Sequence, residues 1–215
     1  MQAVLSSAYF ARINEFKIYN RFAKPGGIVF LGDSLTQRYP LADFYPNMPI
    51  YNRGIDGDTT VGVLKRLDVS VFALQPSIVV LQIGTNDLQV AELSPEATIE
   101  NIQIILAKIK EGLPNVKILL VSLYPVNETP DKLIEKIVVG PRNNKDLMWM
   151  NAHLKTLDDV EFIDVYPSLC DATGNLEMRY TKEGLHLSLN GYAQVTEKIK
   201  PILITMYESQ LKTFL

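Results

Sequence analysis

Five short apolar runs, separated by stretches with helical spacing, constrain this chain more than any other feature. They are Ile28-Val29-Phe30-Leu31, Ile50-Tyr51, Ile78-Val79-Val80-Leu81, and the segments 116–121 and 160–165. Continuously apolar runs of this kind suit strands buried on both faces, as in parallel sheets covered by crossover helices. Between the third and fourth runs the helix signals are complete. Ser94 is placed to cap, Pro95 suits the first helical position, and Glu96 favours the first turn. Ile99, Ile102, Leu106 and Ile109 then mark one face, and Gly112-Leu113-Pro114 ends it. Helical spacing also marks 58–72, 144–157 and the stretch from Leu189 to the C-terminus, while 4–22 predicts an extra helix or two before the first strand. The pattern predicts one three-layer α/β/α domain over 1–215, with an additional N-terminal helical segment at about 1–24.

Composition narrows the class. With 47% hydrophobic and 21% charged residues, the chain reads as an ordinary soluble globular protein. A net charge of −3 offers no basic footprint for nucleic acid and does not favour an anionic membrane. No apolar stretch approaches the ~20 residues that span a bilayer. The opening residues, Met1 to Ser7, lack the pattern of a secretory signal. Cys170 stands alone, so it has no internal disulfide partner and fits a reducing, cytoplasmic address.

The first run leads directly into Gly32-Asp33-Ser34. Ser34 therefore lies just past a strand's carboxyl end, where open α/β sheets hold their ligands, and is a candidate nucleophile. A serine hydroxyl needs an imidazole to take its proton, and that imidazole needs an acceptor on its other nitrogen. Of the two histidines, His153 falls inside a predicted helix and reads as a surface or packing residue. His186 falls in a turn before the last helix, with Glu183 three residues upstream, and is the candidate base.

Two further turns follow the second and third runs: Asn52-Arg53-Gly54-Ile55-Asp56-Gly57-Asp58 and Ile83-Gly84-Thr85-Asn86-Asp87. Both should open at the same sheet edge as Ser34. The backbone N–H groups of Ser34 and Gly54 and the Asn86 side-chain amide are candidate oxyanion donors. The irregular stretch 126–142, with Pro130, Gly140 and Pro141, reads as a flap beside the site or a plain surface connection. Met148-Trp149-Met150 reads as core, and Cys170 lacks an adjacent histidine to activate it.

Gly32-Asp33-Ser34, Gly54, Gly84-Thr85-Asn86-Asp87 and His186 resemble, in order, the four blocks of the SGNH hydrolases, or GDSL esterase/lipase family. The stretches 52–60 and 185–192 look most like the branch containing the platelet-activating-factor acetylhydrolase catalytic subunits. The resemblance implies a flavodoxin-like, five-stranded parallel sheet and hydrolysis of carboxylic esters with no metal or cofactor. By block, it implies Ser34 as nucleophile, His186 as base, and Ser34, Gly54 and Asn86 as the oxyanion hole, with Asp33 and Asp87 shaping their turns. The family usually has aspartate where this chain has Glu183, so Glu183 is expected to orient the ring through a longer side chain. Asp171 is the alternative orienting acid upstream, though nothing in its spacing recommends it. The expected substrate is a short-chain, acetyl ester of a small-molecule alcohol, either an O-acetylated sugar or a lysophospholipid-like ester. The N-terminal segment is expected to cover a sheet edge or to pair two subunits in a homodimer.

Two rival readings come from other classes. Asp56-Gly57-Asp58-Thr59-Thr60 resembles the nucleophile motif of haloacid-dehalogenase-type phosphatases, in which Asp56 and Asp58 would bind magnesium. That motif, however, should follow a fully apolar strand, and here the preceding residues are polar. A non-catalytic α/β binding module would keep the same turns for structural reasons.

Overall fold

The computed structural model describes residues 7–213, with side chains through Gln210. All five apolar runs form strands: β1 (Ile28–Gly32), β2 (Ile50–Gly54), β3 (Ile78–Gln82), β4 (Lys117–Val121) and β5 (Glu161–Ile163). They pair in the order β2-β1-β3-β4-β5, every pair parallel. The chain steps from β1 outward to β2 and then returns to the other side of β1 as β3. That reversal is the point at which open α/β sheets form their ligand crevice. The register levels the ends of these three strands, because Gly32 lies opposite both Gly54 and Gln82. The loops that follow them therefore open side by side.

The helices are α1 (Ser7–Asn20), α2 (Ser34–Gln37), α3 (Leu41–Phe44), α4 (Thr60–Lys65), α5 (Leu67–Ser70), α6 (Pro95–Gly112), α7 (Lys136–Val139), α8 (Asn144–Leu154), α9 (Tyr166–Leu169) and α10 (Leu189–Thr213). Strand alternation divides the apolar side chains between two layers. Val29, Leu31, Val79 and Leu81 pack with Ile102, Ile105 and Ile109 of α6 and with Met150 and Leu154 of α8. Ile28, Phe30, Ile78 and Val80 pack with Val195, Ile199 and Leu203 of α10. This is the three-layer, five-stranded arrangement expected from the sequence. Ile102 is fully buried, and truncating such a residue to alanine costs about 2–5 kcal/mol.

Helix α6 begins as its sequence dictates, with the Ser94 side chain accepting from the Ala97 N–H and Pro95 in the first turn. The stretch 58–72 differs from expectation, since it breaks into α4 and α5. The break falls at Arg66, whose backbone leaves the helical region (φ −123°, ψ 12°) and whose guanidinium turns into the interior. Residues 148–150 also correct the expectation of core packing. Met150 is fully buried, but Met148 and Trp149 are exposed, because neighbouring residues on a helix face different ways.

Helix α1 lies within the expected N-terminal segment, of which residues 1–6 fall outside the described residues. It packs at the β2 edge of the sheet. Phe16 sits beneath the guanidinium groups of Arg12 and Arg53, at 5.0 and 4.9 Å. Asn20 accepts from Arg53 Nη2 (2.7 Å) and donates to the Val69 carbonyl (2.7 Å).

Candidate active site

Ser34 is the first residue of α2, directly beyond β1. Asp33 caps this short helix, its Oδ1 accepting from the Leu35 N–H at 2.8 Å. That cap fixes the turn that presents Ser34. Across the sheet end, His186 Nε2 lies 3.1 Å from Ser34 Oγ. His186 Nδ1 lies 2.6 Å from Glu183 Oε1, and the same oxygen accepts the His186 backbone N–H at 2.7 Å. One carboxylate oxygen thus holds both the ring and the turn that carries it. The turn needs a left-handed residue, which Gly184 supplies at φ +107°.

Burial lowers the His186 pKa, and the nearby Arg38 guanidinium lowers it further against the opposing pull of Glu183. Arg38 is itself paired with Asp56 at 2.9 Å. Burial and Arg38 thus favour the neutral imidazole. Its Nδ1–H donates to Glu183, leaving the Nε2 lone pair toward the serine hydroxyl. This arrangement can take a proton from Ser34 during attack. Asp171 plays no part in it, since its side chain accepts from Thr173 and Asn175 in its own turn.

The oxyanion donors differ from expectation at one position. The Gly54 N–H donates to Asn52 Oδ1 at 2.9 Å, so it is not free to meet a developing oxyanion. Three residues further along the same loop, the Gly57 N–H has no acceptor among the described residues. Gly57 holds φ +73°, the left-handed conformation that glycine tolerates. The Ser34 N–H is likewise unclaimed. Asn86 lies beside this loop, its Nδ2 donating to the Asp58 carbonyl at 2.9 Å. An amide nitrogen has two hydrogens, and the second remains available.

A framework of buried polar groups ties these loops together, and little of it shows in short sequence motifs. Asp87 accepts from the Thr60 N–H at 3.1 Å and from its hydroxyl, locking the loop after β3 to the start of α4. Arg66 is buried among Asp58 Oδ2 (2.7 Å) and the carbonyls of Gly32 (2.9 Å) and Arg53 (2.8 Å). It thereby joins the ends of β1 and β2 to the loop carrying Gly57. Its only sequence signal is a cation amid the apolar periodicity of Val63, Leu64 and Leu67.

The stretch 126–142 is bonded to the site rather than hanging beside it. The Asn127 and Glu135 N–H groups donate to the Gly184 and Glu183 carbonyls, at 2.8 and 2.9 Å. Arg142 closes its far end on Thr85 and Asn86.

The rival motif does not assemble. Asp56 is held by Arg38 at the surface, whereas Asp58 is buried against Arg66. Among the described residues, no three His, Cys, Asp or Glu side chains are grouped to hold a metal ion. His153 is exposed, its ring against Trp149. Burial raises the Cys170 thiol to a pKa of about 11, which opposes the thiolate a nucleophile would need. No described helix is long and apolar enough to cross a membrane.

A doubly wound parallel sheet brings serine, histidine and carboxylate into contact at its strand ends, an arrangement suited to hydrolysis by acyl transfer. The chain belongs to the GDSL-like lipase/acylhydrolase family, which matches residues 30–194. It is 28% identical over 200 residues to platelet-activating factor acetylhydrolase IB subunit alpha2 of Rattus norvegicus, covering 88% of this chain and 83% of the relative. Among solved structures, a Streptococcus pneumoniae protein described as a candidate platelet activating factor superposes with a TM-score of 0.85. It is 29% identical, and the match covers 93% of this chain and 94% of that one. A GDSL-like lipase from Bacteroides thetaiotaomicron gives a TM-score of 0.75 at 26% identity, covering 91% of this chain and 98% of that one.

Proposed function

We propose that the chain hydrolyses short-chain esters, with acetyl as the preferred acyl group, through a covalent acyl-serine. Ser34 Oγ attacks the ester carbonyl carbon while His186 Nε2 takes its proton. The oxyanion that forms is held by Asn86 Nδ2–H and by the backbone N–H groups of Ser34 and Gly57. His186 then gives the proton to the departing alcohol as the C–O bond breaks. Water, activated by the same nitrogen, releases the carboxylic acid and restores the serine. Asp33 and Asp87 set the turns and stay outside the bond changes.

The observation carrying this reading is the unbroken chain Ser34 Oγ–His186 Nε2, His186 Nδ1–Glu183 Oε1, at 3.1 and 2.6 Å. The acetyl preference rests on the relatives, which are named acetylhydrolases. The substrate is the ester of a soluble alcohol, either an O-acetylated sugar or an acetylated lysophospholipid-like ester. The test is hydrolysis of p-nitrophenyl esters from acetyl to dodecanoyl, wild type beside Ser34→Ala, with EDTA present. Activity falling steeply with acyl length and vanishing in Ser34→Ala is expected. Persistent turnover in the mutant would place the nucleophile elsewhere. Comparing an acetylated sugar with an acetylated lysophospholipid then decides the alcohol.

A further inference from the structure

Arg142 is almost fully buried, and every acceptor it meets is uncharged. Nε donates to the Thr85 carbonyl at 2.9 Å. Nη1 donates to the Val138 and Val139 carbonyls at 2.9 Å and to Gln89 Oε1. Nη2 donates to Asn86 Oδ1 at 2.6 Å. Among the described residues it forms no ion pair. A guanidinium kept from water with no carboxylate in contact, and only the more distant Asp33 charge to offset it, is costly, so a purely structural tie between two loops would be better made by a neutral side chain.

The Asn86 contacts show what the charge accomplishes. A carboxamide can flip, exchanging its oxygen and nitrogen. Arg142 can only donate, and the Asp58 carbonyl, 2.9 Å from Nδ2, can only accept. Those two partners on opposite sides of the amide permit one orientation. They leave one Nδ2–H unclaimed. A cation on the amide oxygen also draws electron density from the nitrogen, so the remaining N–H becomes a stronger donor.

We propose that Arg142 is a positioning residue for ester hydrolysis, which locks and polarises Asn86 so that its free N–H meets the oxyanion. The inference rests on Asn86 being an oxyanion donor, as in the reading above. It also gives the segment 126–142 a role. That segment holds the Glu183-Gly184 turn at one end and, through Arg142, Asn86 at the other. One strap thus spans both halves of the site.

The test is a double-mutant cycle on p-nitrophenyl acetate. Arg142→Met should lower kcat by about 10–10²-fold, less than outright removal of a donor, with little change in KM. In an Asn86→Ala background the same change should cost almost nothing further, because the group that Arg142 positions is gone. Equal losses in both backgrounds, or a loss confined to KM, would overturn the proposal. If Arg142→Met fails to fold, Arg142→Lys retains the buried cation without the fork. It should show a reduced kcat at unchanged KM, and wild-type kcat would overturn the proposal. Millimolar guanidinium should restore kcat to Arg142→Ala but not to Arg142→Ala combined with Asn86→Ala; restoration in both would overturn it. The Asn86→Ala arm reports on the underlying reading separately, since wild-type kcat there would remove the donor itself.

Discussion

Replacing Glu183 by glutamine separates the charge of the orienting acid from its geometry. Oε1 accepts both the His186 backbone N–H and Nδ1–H, and a glutamine carbonyl oxygen can accept the same two bonds. It cannot offset the positive charge that forms on the ring when Nε2 takes the Ser34 proton. Two unit charges about 4 Å apart attract by ~4 kcal/mol at an effective dielectric of ~20. The ring and the acid keep 15% and 13% of their side-chain surface exposed. Screening removes part of the attraction and leaves roughly 2–3 kcal/mol. At 1.36 kcal/mol per decade, kcat should fall by about 10². The assay is steady-state hydrolysis of p-nitrophenyl acetate. Here kcat and kcat/KM should fall together, because the charge exists only beyond the ground state. Glu183→Asp should be slower than wild type, since the shorter arm cannot reach ring and backbone without moving the turn. A Glu183→Gln enzyme with kcat within about threefold of wild type would refute the role, since loss of this charge should show in kcat.

Asn86→Ala should lower kcat by about 10²–10³, the cost of one oxyanion donor, and a change confined to KM would show that Asn86 only positions substrate. Because the folded His186 pKa is lowered, kcat/KM should decline on acidification only below the usual histidine value of 6.5; an acid limb centred above that would contradict the assigned environment. Stability should show the opposite trend through Asp33 and Asp87, whose pKa values burial raises from 3.8 to about 7. Their contribution is complete below the unfolded value and is lost as pH rises through 7, on the order of a few kcal/mol. It opposes the smaller His186 effect, so the urea midpoint should be higher at pH 5.5 than at pH 8, and the reverse order would refute the assignment. Arg66→Met strands Asp58 in the interior and should cost about 3–5 kcal/mol in unfolding free energy; a loss below about 1 kcal/mol would show that the buried pair is not needed there.

What the sequence made legible is what its chain holds locally. The strands follow from apolar runs, α6 from its cap and periodicity, and the His186–Glu183 contact from a three-residue spacing that one turn can close. Even Ser34 follows from a local fact, its place just beyond a buried strand. The errors arise where distant groups decide. Gly54 and Gly57 share one loop, and spacing cannot tell which N–H is free; the Asn52 side chain takes one of them. The stretch 126–142 reads as a flap or a surface connection because its prolines and glycine break any periodicity, yet it is tied to Gly184, Thr85 and Asn86 far along the chain. Arg66 and Arg142 are the clearest cases. An arginine at helical spacing, or just before a helix, looks like solvated surface until the acceptors that bury it are known. Both converge on carbonyls and side chains of the loops that hold the candidate oxyanion donors. The candidate reactive groups that the fold brings together thus lie in short motifs. Two buried cations that no short motif records join the loops that carry the candidate oxyanion donors. Variants at Arg66 and Arg142 should therefore separate the presence of the triad from its competence, leaving Ser34, His186 and Glu183 in place while the oxyanion hole loses its shape.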